Sequence, residues 1–329
     1  MTLTVDALQE SGLGKRGANL SIMIPTYNCA QYLVETLKSL KSQSISLDDA
    51  EIVVLDDCSS EDEPEAAISE TWPGRLRFYR HPKNVGAVAN FNACLEQANR
   101  PWVHILHGDD IVYPNAYAEF EECIQLCPAA LAVFARSAFI TSEGVRHFET
   151  PLLGDKERGL LTYTLDRWTI NPIQFSGTLI SKRALNEVGG FDPQFGHVND
   201  FNLWWRIARK GPVVYSNSIV GGYRTFEGNH TSSLKRSGKN IQETVDQIAL
   251  MIATESKASG RPAAEMDAIY SGVFGLGINQ LYEFLGDEEA FENTLNIIKM
   301  LPAAAQKRQS YLRVHAVRAL SKFKRAPAK

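Results

Sequence analysis

The chain has 329 residues, 44% hydrophobic and 22% charged, which suits one large folded domain or one domain with an appendage and excludes global disorder. With 34 Lys/Arg against 38 Asp/Glu the net charge is −4, which argues against coating nucleic acid, a task that needs many uncompensated cations. No stretch reaches the ~20 apolar residues of a membrane span, and the first residues lack the charged-then-apolar plan of a secretory leader. Cys29, Cys58, Cys94, Cys123 and Cys127 form an odd, irregular set with no CxxC pair, which fits a reducing cytoplasm rather than a disulfide framework or zinc ribbon.

Residues 1–18 are polar and read as a loose tail. Gly12, Gly14 and Gly17 form a GxGxxG there, but a dinucleotide loop follows a strand and opens a helix, whereas here a strand comes after it. Residues 20–24 (LSIMI) predict a strand, followed by Leu33, Leu37 and Leu40 at helical spacing. Residues 51–55 (EIVVL) predict a second strand, 76–79 a third, and 85–98 a helix. Residues 102–106 (WVHIL) predict another strand, 114–126 a helix with Pro114 in its first turn, and 131–135 one more strand. Strands alternating with helices predict parallel βαβ units in an α/β sheet covered on both faces, with any ligand beyond the carboxyl ends of the strands.

Polar clusters stand at three of those ends: Pro25-Thr26-Tyr27-Asn28, Asp56-Asp57-Cys58-Ser59 and Gly108-Asp109-Asp110. A carboxylate pair after an apolar strand can hold a hard divalent cation and leave positions for phosphate oxygens. The same pair can equally cap the helix that Pro114 announces. Asp57 can accept a hydrogen bond from a nucleobase or close an Asx turn toward Ser59. His104 alternates into its strand and reads as structural, while His107 lies near the acidic pair with no evident role.

Together these segments resemble the family 2 glycosyltransferases with the GT-A fold. SIMIPTYN (21–28), IVVLDDCS (52–59), Asn84 to Gly86 with Asn92, and HGDD (107–110) come in that family's order and spacing. FSGTLIS (175–181), Gly189-Gly190-Phe191-Asp192, and Asn199-Asp200 before Leu203-Trp204-Trp205-Arg206 resemble its acceptor half. The resemblance covers roughly residues 19–232. It implies a Rossmann-like, mostly parallel sheet flanked by helices. It further implies that Pro25, Thr26, Tyr27, Asn28, Asp57, Asn84 and Asp109 bind a nucleotide sugar, that Asp110 ligates Mn²⁺ or Mg²⁺, and that Asp200 is the catalytic base. Trp204, Trp205, Arg224 and His230 are expected around the acceptor or the diphosphate. Three positions depart from the family pattern. Gly108 stands where many members have the first Asp of the acidic motif, Asn199 where an acid precedes the base, and Phe91 where an Arg precedes Asn92. The last leaves Arg80 and Lys83 as the nearby cations.

The implied reaction is metal-dependent, inverting transfer from a nucleotide diphosphate donor, by resemblance a UDP-sugar. The acceptor would be a glycan or lipid-linked glycan in bacterial surface polysaccharide or glycoconjugate synthesis. A sugar-nucleotide pyrophosphorylase would need a Gly-rich, Arg-containing loop after the first strand, and PTYNCAQ has neither. A degenerate glycan- or partner-binding member is opposed by the retained Asp57, Asp110 and Asp200.

From about residue 237 good helix formers dominate, so 233–329 is expected to be a helical C-terminal region. Residues 303–329 hold eight Lys/Arg and no acid, which leaves −12 on residues 1–302. Three readings of this segment stay open: a solvated basic tail, packing on the acidic body, or peripheral contact of a cytoplasmic protein with the inner face of an anionic membrane.

Overall fold

The computed structural model describes residues 12–72, 75–162, 170–226 and 234–302. These fall into two compact units. The first runs to Thr162 and adds Pro172–Gln194 and Asn199–Thr225. The second gathers 170–171, Phe195–Val198 and the chain from Phe226 onward.

The first unit opens with β1 (Leu20–Thr26), α1 (Ala30–Lys41), β2 (Glu51–Asp56), α2 (Pro64–Thr71), β3 (Arg77–Arg80), α3 (Ala87–Gln97) and β4 (Trp102–Ile105); all but the short α2 answer to the predicted elements. β1 is parallel to β2 and β4, and β2 to β3. Every residue of β1 is buried, as expected of a parallel strand with helices on both faces. Leu33, Leu37 and Leu40 of α1 point into the same core.

Beyond β4 the sheet departs from the mostly parallel expectation. β5 (Ile111–Val112), α4 (Ala116–Leu126), β6 (Ala132–Ile140), β7 (Arg146–Glu149), β8 (Arg158–Leu160), β9 (Thr178–Ser181), α5 (Lys182–Val188), α6 (Asn199–Ala208) and β10 (Val213–Arg224) follow. The order is β3-β2-β1-β4-β9-β6-β10-β5, with β9 antiparallel to both β4 and β6 and β10 parallel to β6. The FSGTLIS segment thus enters between two strands that the chain laid down earlier. It fits because Gly177 has no side chain: a Cβ there would lie 2.4 Å from the Ala135 carbonyl oxygen. Register shifts between Ser216 and Gly221 bulge β10 before it ends at Arg224.

The expected loose tail is a correction for residues 12–18. Leu13 is buried in the core cluster, its N–H donates to Glu121 Oε2 at 2.6 Å, and Arg16 pairs with Asp48 and Asp49. A buried apolar side chain, a hydrogen bond and two ion pairs together hold a segment whose composition is polar. All five cysteines are free thiols.

In the second unit, α7 (Lys239–Ser259), α8 (Ser271–Glu283) and α9 (Glu288–Lys299) bury amphipathic faces such as Ile241, Ile248 and Met251. A polar knot threads them: Asn240 Nδ2 donates to Gln280 Oε1, and Gln280 Nε2 donates to Thr294 Oγ1, each at 2.8 Å. Glu243 accepts the His197 N–H at 2.5 Å. No described helix is long and apolar enough to cross a membrane. The basic segment 303–329 lies outside the described residues.

One carboxylate pins α4, β8 and β10. Glu119 takes Arg158 Nε at 2.5 Å, Arg158 Nη2 at 3.0 Å and Ser216 Oγ at 2.7 Å. Burial opposes its charge, but the Arg158 and Ser216 hydrogen bonds outweigh burial and hold the carboxyl below its ordinary value of 4.5. A depressed carboxylate contributes stability that is full above 4.5 and is lost as pH falls through the lower folded value. Arg158→Met should therefore cost about 1–3 kcal/mol at pH 7 in urea unfolding. The gap to wild type should narrow as the pH is taken from about 5 to about 3. An unchanged gap across that window would contradict the assignment.

Candidate active site

Three strand ends meet through the end of β1. The Pro25 carbonyl accepts the Gly108 N–H at 3.0 Å, and the Thr26 carbonyl accepts the Asp57 N–H at 2.9 Å. The turns leaving β1 and β2 carry left-handed, non-glycine backbone at Asn28 (φ 48°) and Cys58 (φ 60°). Such conformations persist where surrounding bonds hold them. Here Asn28 Oδ1 accepts the N–H groups of Ser60 and Glu61, and the Asn28 N–H donates to Ser59 Oγ. Pro25 and Thr26 are buried, whereas Tyr27 keeps 48% of its surface exposed beside this junction.

Asp57 is buried and holds the 84–86 turn: its two oxygens accept the Val85 N–H at 2.7 Å and the Gly86 N–H at 3.0 Å. Asn84 Nδ2 donates to the Asp57 carbonyl. A carboxylate has about four acceptor sites, so capacity remains on Asp57. Arg80 is engaged elsewhere, its Nε 3.2 Å from Asp56 and a guanidinium N–H on the Ser59 carbonyl.

The acidic loop follows β4. Asp110 is fully buried; its Oδ1 accepts the Arg224 N–H at 2.9 Å, while its Oδ2 has no hydrogen-bond partner. His107, Asp109 and Asp110 offer donor atoms that all lie within 4.8 Å of one another. Burial pushes Asp109 up to about 6. Burial and then the neighbouring Asp109 charge push Asp110 well above the carboxylate range. Burial also lowers His107 to about 4, so its imidazole is neutral at pH 7. An orphaned buried carboxylate oxygen, a second carboxylate and a neutral imidazole together fit a divalent cation.

Arg224 is not the phosphate contact expected from the sequence. Its side chain is fully buried, and its guanidinium donates to the carbonyls of Asp109 (2.8 Å), Ser142 (2.7 Å) and Thr141 (3.3 Å) and to Glu35 Oε2 (2.6 Å). It also lies 4.6 Å over the Tyr32 ring. Trp204 and Trp205 are corrections too. Trp204 is fully buried against Phe134, Phe175 and Phe191, and Trp205 is buried with Arg209 over its ring. Both indoles pack inward, because they stand in the middle of α6 among its buried residues. His230 lies outside the described residues.

Asp200 sits in the first turn of α6, half-buried, with Oδ1 accepting the Phe201 N–H at 2.6 Å. Phe91, where a cation was expected, stacks on His107 (centroids 4.9 Å, 16°) and meets Phe175 and Phe191. Its neighbour Asn92 clamps the Gly-Gly-Phe-Asp turn, accepting the Phe191 N–H at 2.8 Å and donating to its carbonyl at 2.9 Å. That clamp joins two motifs that lie 99 positions apart in the chain. His107 is the site residue that sequence reasoning left without a role; its position, separated from the acidic pair only by Gly108, was the available signal.

The sequence profile of glycosyl transferase family 2 matches residues 21–189. Chondroitin synthase of Escherichia coli is 26% identical over 235 residues, 69% of this chain and 32% of that protein. An uncharacterized protein of Mycobacterium tuberculosis is 23% identical over 237 residues, 68% of this chain and 72% of that one. The chain thus spans about a third of the length of the chondroitin synthase. Among solved structures, S. aureus TarS 1–349 in complex with UDP-GlcNAc has a TM-score of 0.63 at 21% identity, covering 92% of this chain and 88% of that one. The mannosyltransferase PcManGT from Pyrobaculum calidifontis, in complex with GDP-Man and Mn²⁺, has a TM-score of 0.54 at 16% identity, covering 93% and 86%. These likenesses bear out the expected GT-A fold.

Gly108 tests how tightly the loop is seated. A Cβ at 108 would lie 2.4 Å from Thr26 Cγ2 and 3.1 Å from Cys29 Sγ, so the carboxylate common at this position has no room. Gly108→Ala should destabilise the fold by about 1–3 kcal/mol through overpacking. Thr26→Ser removes the clashing methyl and should restore a large part of that loss in the double variant, because the two sites share one contact. Simple additivity in thermal denaturation would show that the contact is not limiting.

Proposed function

The chain belongs to glycosyl transferase family 2, and we propose on that premise that it moves a sugar from a nucleotide diphosphate donor to an acceptor hydroxyl, with inversion and with a divalent cation. The observation that carries this reading is the buried Asp110 with its unpartnered Oδ2, beside Asp109 in a loop that Gly108 ties to the end of β1. Asp110 and Asp109 would hold Mn²⁺ or Mg²⁺ through carboxylate oxygens. When bound, that cation stabilises charge developing on the departing diphosphate.

The chain's own residues supply the rest. The exposed ring of Tyr27 offers a stacking face for the base, and Asp57 keeps acceptor capacity for a base N–H while it fixes the 84–86 turn. Pro25, Thr26, Asn28 and Asn84 shape the same donor pocket. Asp200 takes the proton of the acceptor hydroxyl as its oxygen bonds to the anomeric carbon. The bond from that carbon to the diphosphate oxygen breaks, and its electron pair leaves with the diphosphate. UDP is the favoured nucleotide, supported by the UDP-GlcNAc complex of TarS. A polysaccharide or glycoconjugate acceptor is supported by the similarity to a chondroitin synthase.

Hydrolysis of a panel of nucleotide sugars with Mn²⁺ tests the reading. Release of UDP that stops on adding EDTA is expected. No turnover with any donor, or turnover indifferent to EDTA, would refute the metal-dependent reading. Asp110→Asn should abolish most cation-dependent turnover while the fold survives. Asp200→Asn should lower the rate ~10²–10⁴-fold, the usual cost of losing a general base. UDP affinity of the Asp200 variant, read by calorimetry, should stay near wild type. A large loss of UDP binding would instead place Asp200 on the donor.

A further inference from the structure

We propose that His107 is a direct ligand of the bound cation, completing a mixed nitrogen–oxygen set with Asp109 and Asp110 that favours Mn²⁺ over Mg²⁺. The inference rests on the reading that Asp110 binds the cation. Three observations carry it. The donor atoms of His107, Asp109 and Asp110 lie within 4.8 Å of one another, close enough for one ion to bridge them after small side-chain adjustment. His107 Nε2 and Asp110 Oδ2 are both buried without a hydrogen-bond partner, so two of the three residues of this group carry an unsatisfied polar atom. Buried polar atoms without partners are rare in folded chains and call for an explanation such as an ion.

Packing, not hydrogen bonding, aims the imidazole. Phe91 stacks on it at 4.9 Å, and the Phe175 centroid is 4.3 Å away. The Phe91 and Phe175 centroids also lie 5.2 Å from each other, so the three rings form one packed cluster that holds the imidazole plane in place. The residue between it and the acids cannot serve instead, because Gly108 has no space for a side chain. The identity of the donors then sets metal preference. Mg²⁺ demands oxygen ligands in a small, rigid octahedron, whereas Mn²⁺, although it also favours oxygen, is a larger transition ion that accepts an imidazole nitrogen more readily than Mg²⁺ does. Phe91, which stands where a donor-binding cation was expected, acquires a purpose as the plate under this ligand.

The test uses the full chain with Mn²⁺ alone. Pulsed EPR of the Mn²⁺-loaded protein should show modulation from a directly coupled ¹⁴N. His107→Phe keeps an aromatic ring packed against Phe91 and Phe175 but removes both nitrogens; it should lose that modulation and bind Mn²⁺ ~10-fold or more weakly. Mg²⁺ affinity, read by competition, should change far less. His107→Gln serves as the second variant, with thermal melting confirming that each is folded. Absence of ¹⁴N coupling in the wild type, or its survival in a folded His107 variant, overturns the inference. Asp110→Asn separates the two levels. If it loses Mn²⁺ while His107→Phe does not, only the role of His107 fails. If it binds Mn²⁺ as wild type does, the underlying metal reading fails.

Discussion

The geometry of the acidic loop depends on one buried guanidinium. Arg224 ends β10, and its donors face the carbonyls of Asp109, Thr141 and Ser142 and the Glu35 carboxylate. A buried cation without such partners is too costly to keep, so the surrounding backbone is fixed by the need to satisfy it. With the Asp109 carbonyl turned toward Arg224, the loop backbone is anchored from beneath. The Arg224 backbone N–H then takes one oxygen of Asp110 and leaves the other unpaired. Thr36 adds a second anchor, its hydroxyl lying 3.0 Å from the Gly108 carbonyl and 2.7 Å from that of Asp110. Lysine could not replace Arg224, since only a planar fork of five donors reaches carbonyls on several elements at once.

The same economy of partners links the strand ends. The end of β1 accepts from Gly108 on one side and Asp57 on the other, so the loops after β1, β2 and β4 cannot shift independently. Two left-handed residues, Asn28 and Cys58, make the sharp turns, and side-chain bonds from Asn28 and Ser59 stabilise them. A site assembled this way is rigid before any donor arrives, which is the condition for electrostatic and positional catalysis to act without reorganisation. Asn92 extends the scaffold, since its amide bonds both backbone groups of Phe191 and joins α3 to the turn beyond α5.

Much of the first unit was legible from the chain alone. EIVVL and WVHIL are β-branched runs too short for helices, and Leu33, Leu37 and Leu40 repeat at the helical period. These are local properties, set by side-chain sterics within a few residues. The Pro25–Asn28, Asp57 and Asp109–Asp110 clusters were legible because α/β sheets present ligands at strand ends. Less legible was residue 13, whose burial depends on an apolar seat contributed by distant elements, including α4 and β1.

The sequence by itself therefore determined the strand–helix alternation, the core faces of the helices and the acidic residues at the strand ends, because each follows from near-neighbour periodicity and chemistry. Only the tertiary structure decided that FSGTLIS enters antiparallel between β4 and β6, that Trp204 and Trp205 turn inward, and that Arg224 braces the acidic loop from below. It also decided that His107 stands on Phe91 beside Asp109 and Asp110. Each of these joins residues tens to more than a hundred positions apart or depends on which face is covered. No local pattern encodes them; they follow from the requirement that every buried charge and backbone group find a partner once the sheet has closed.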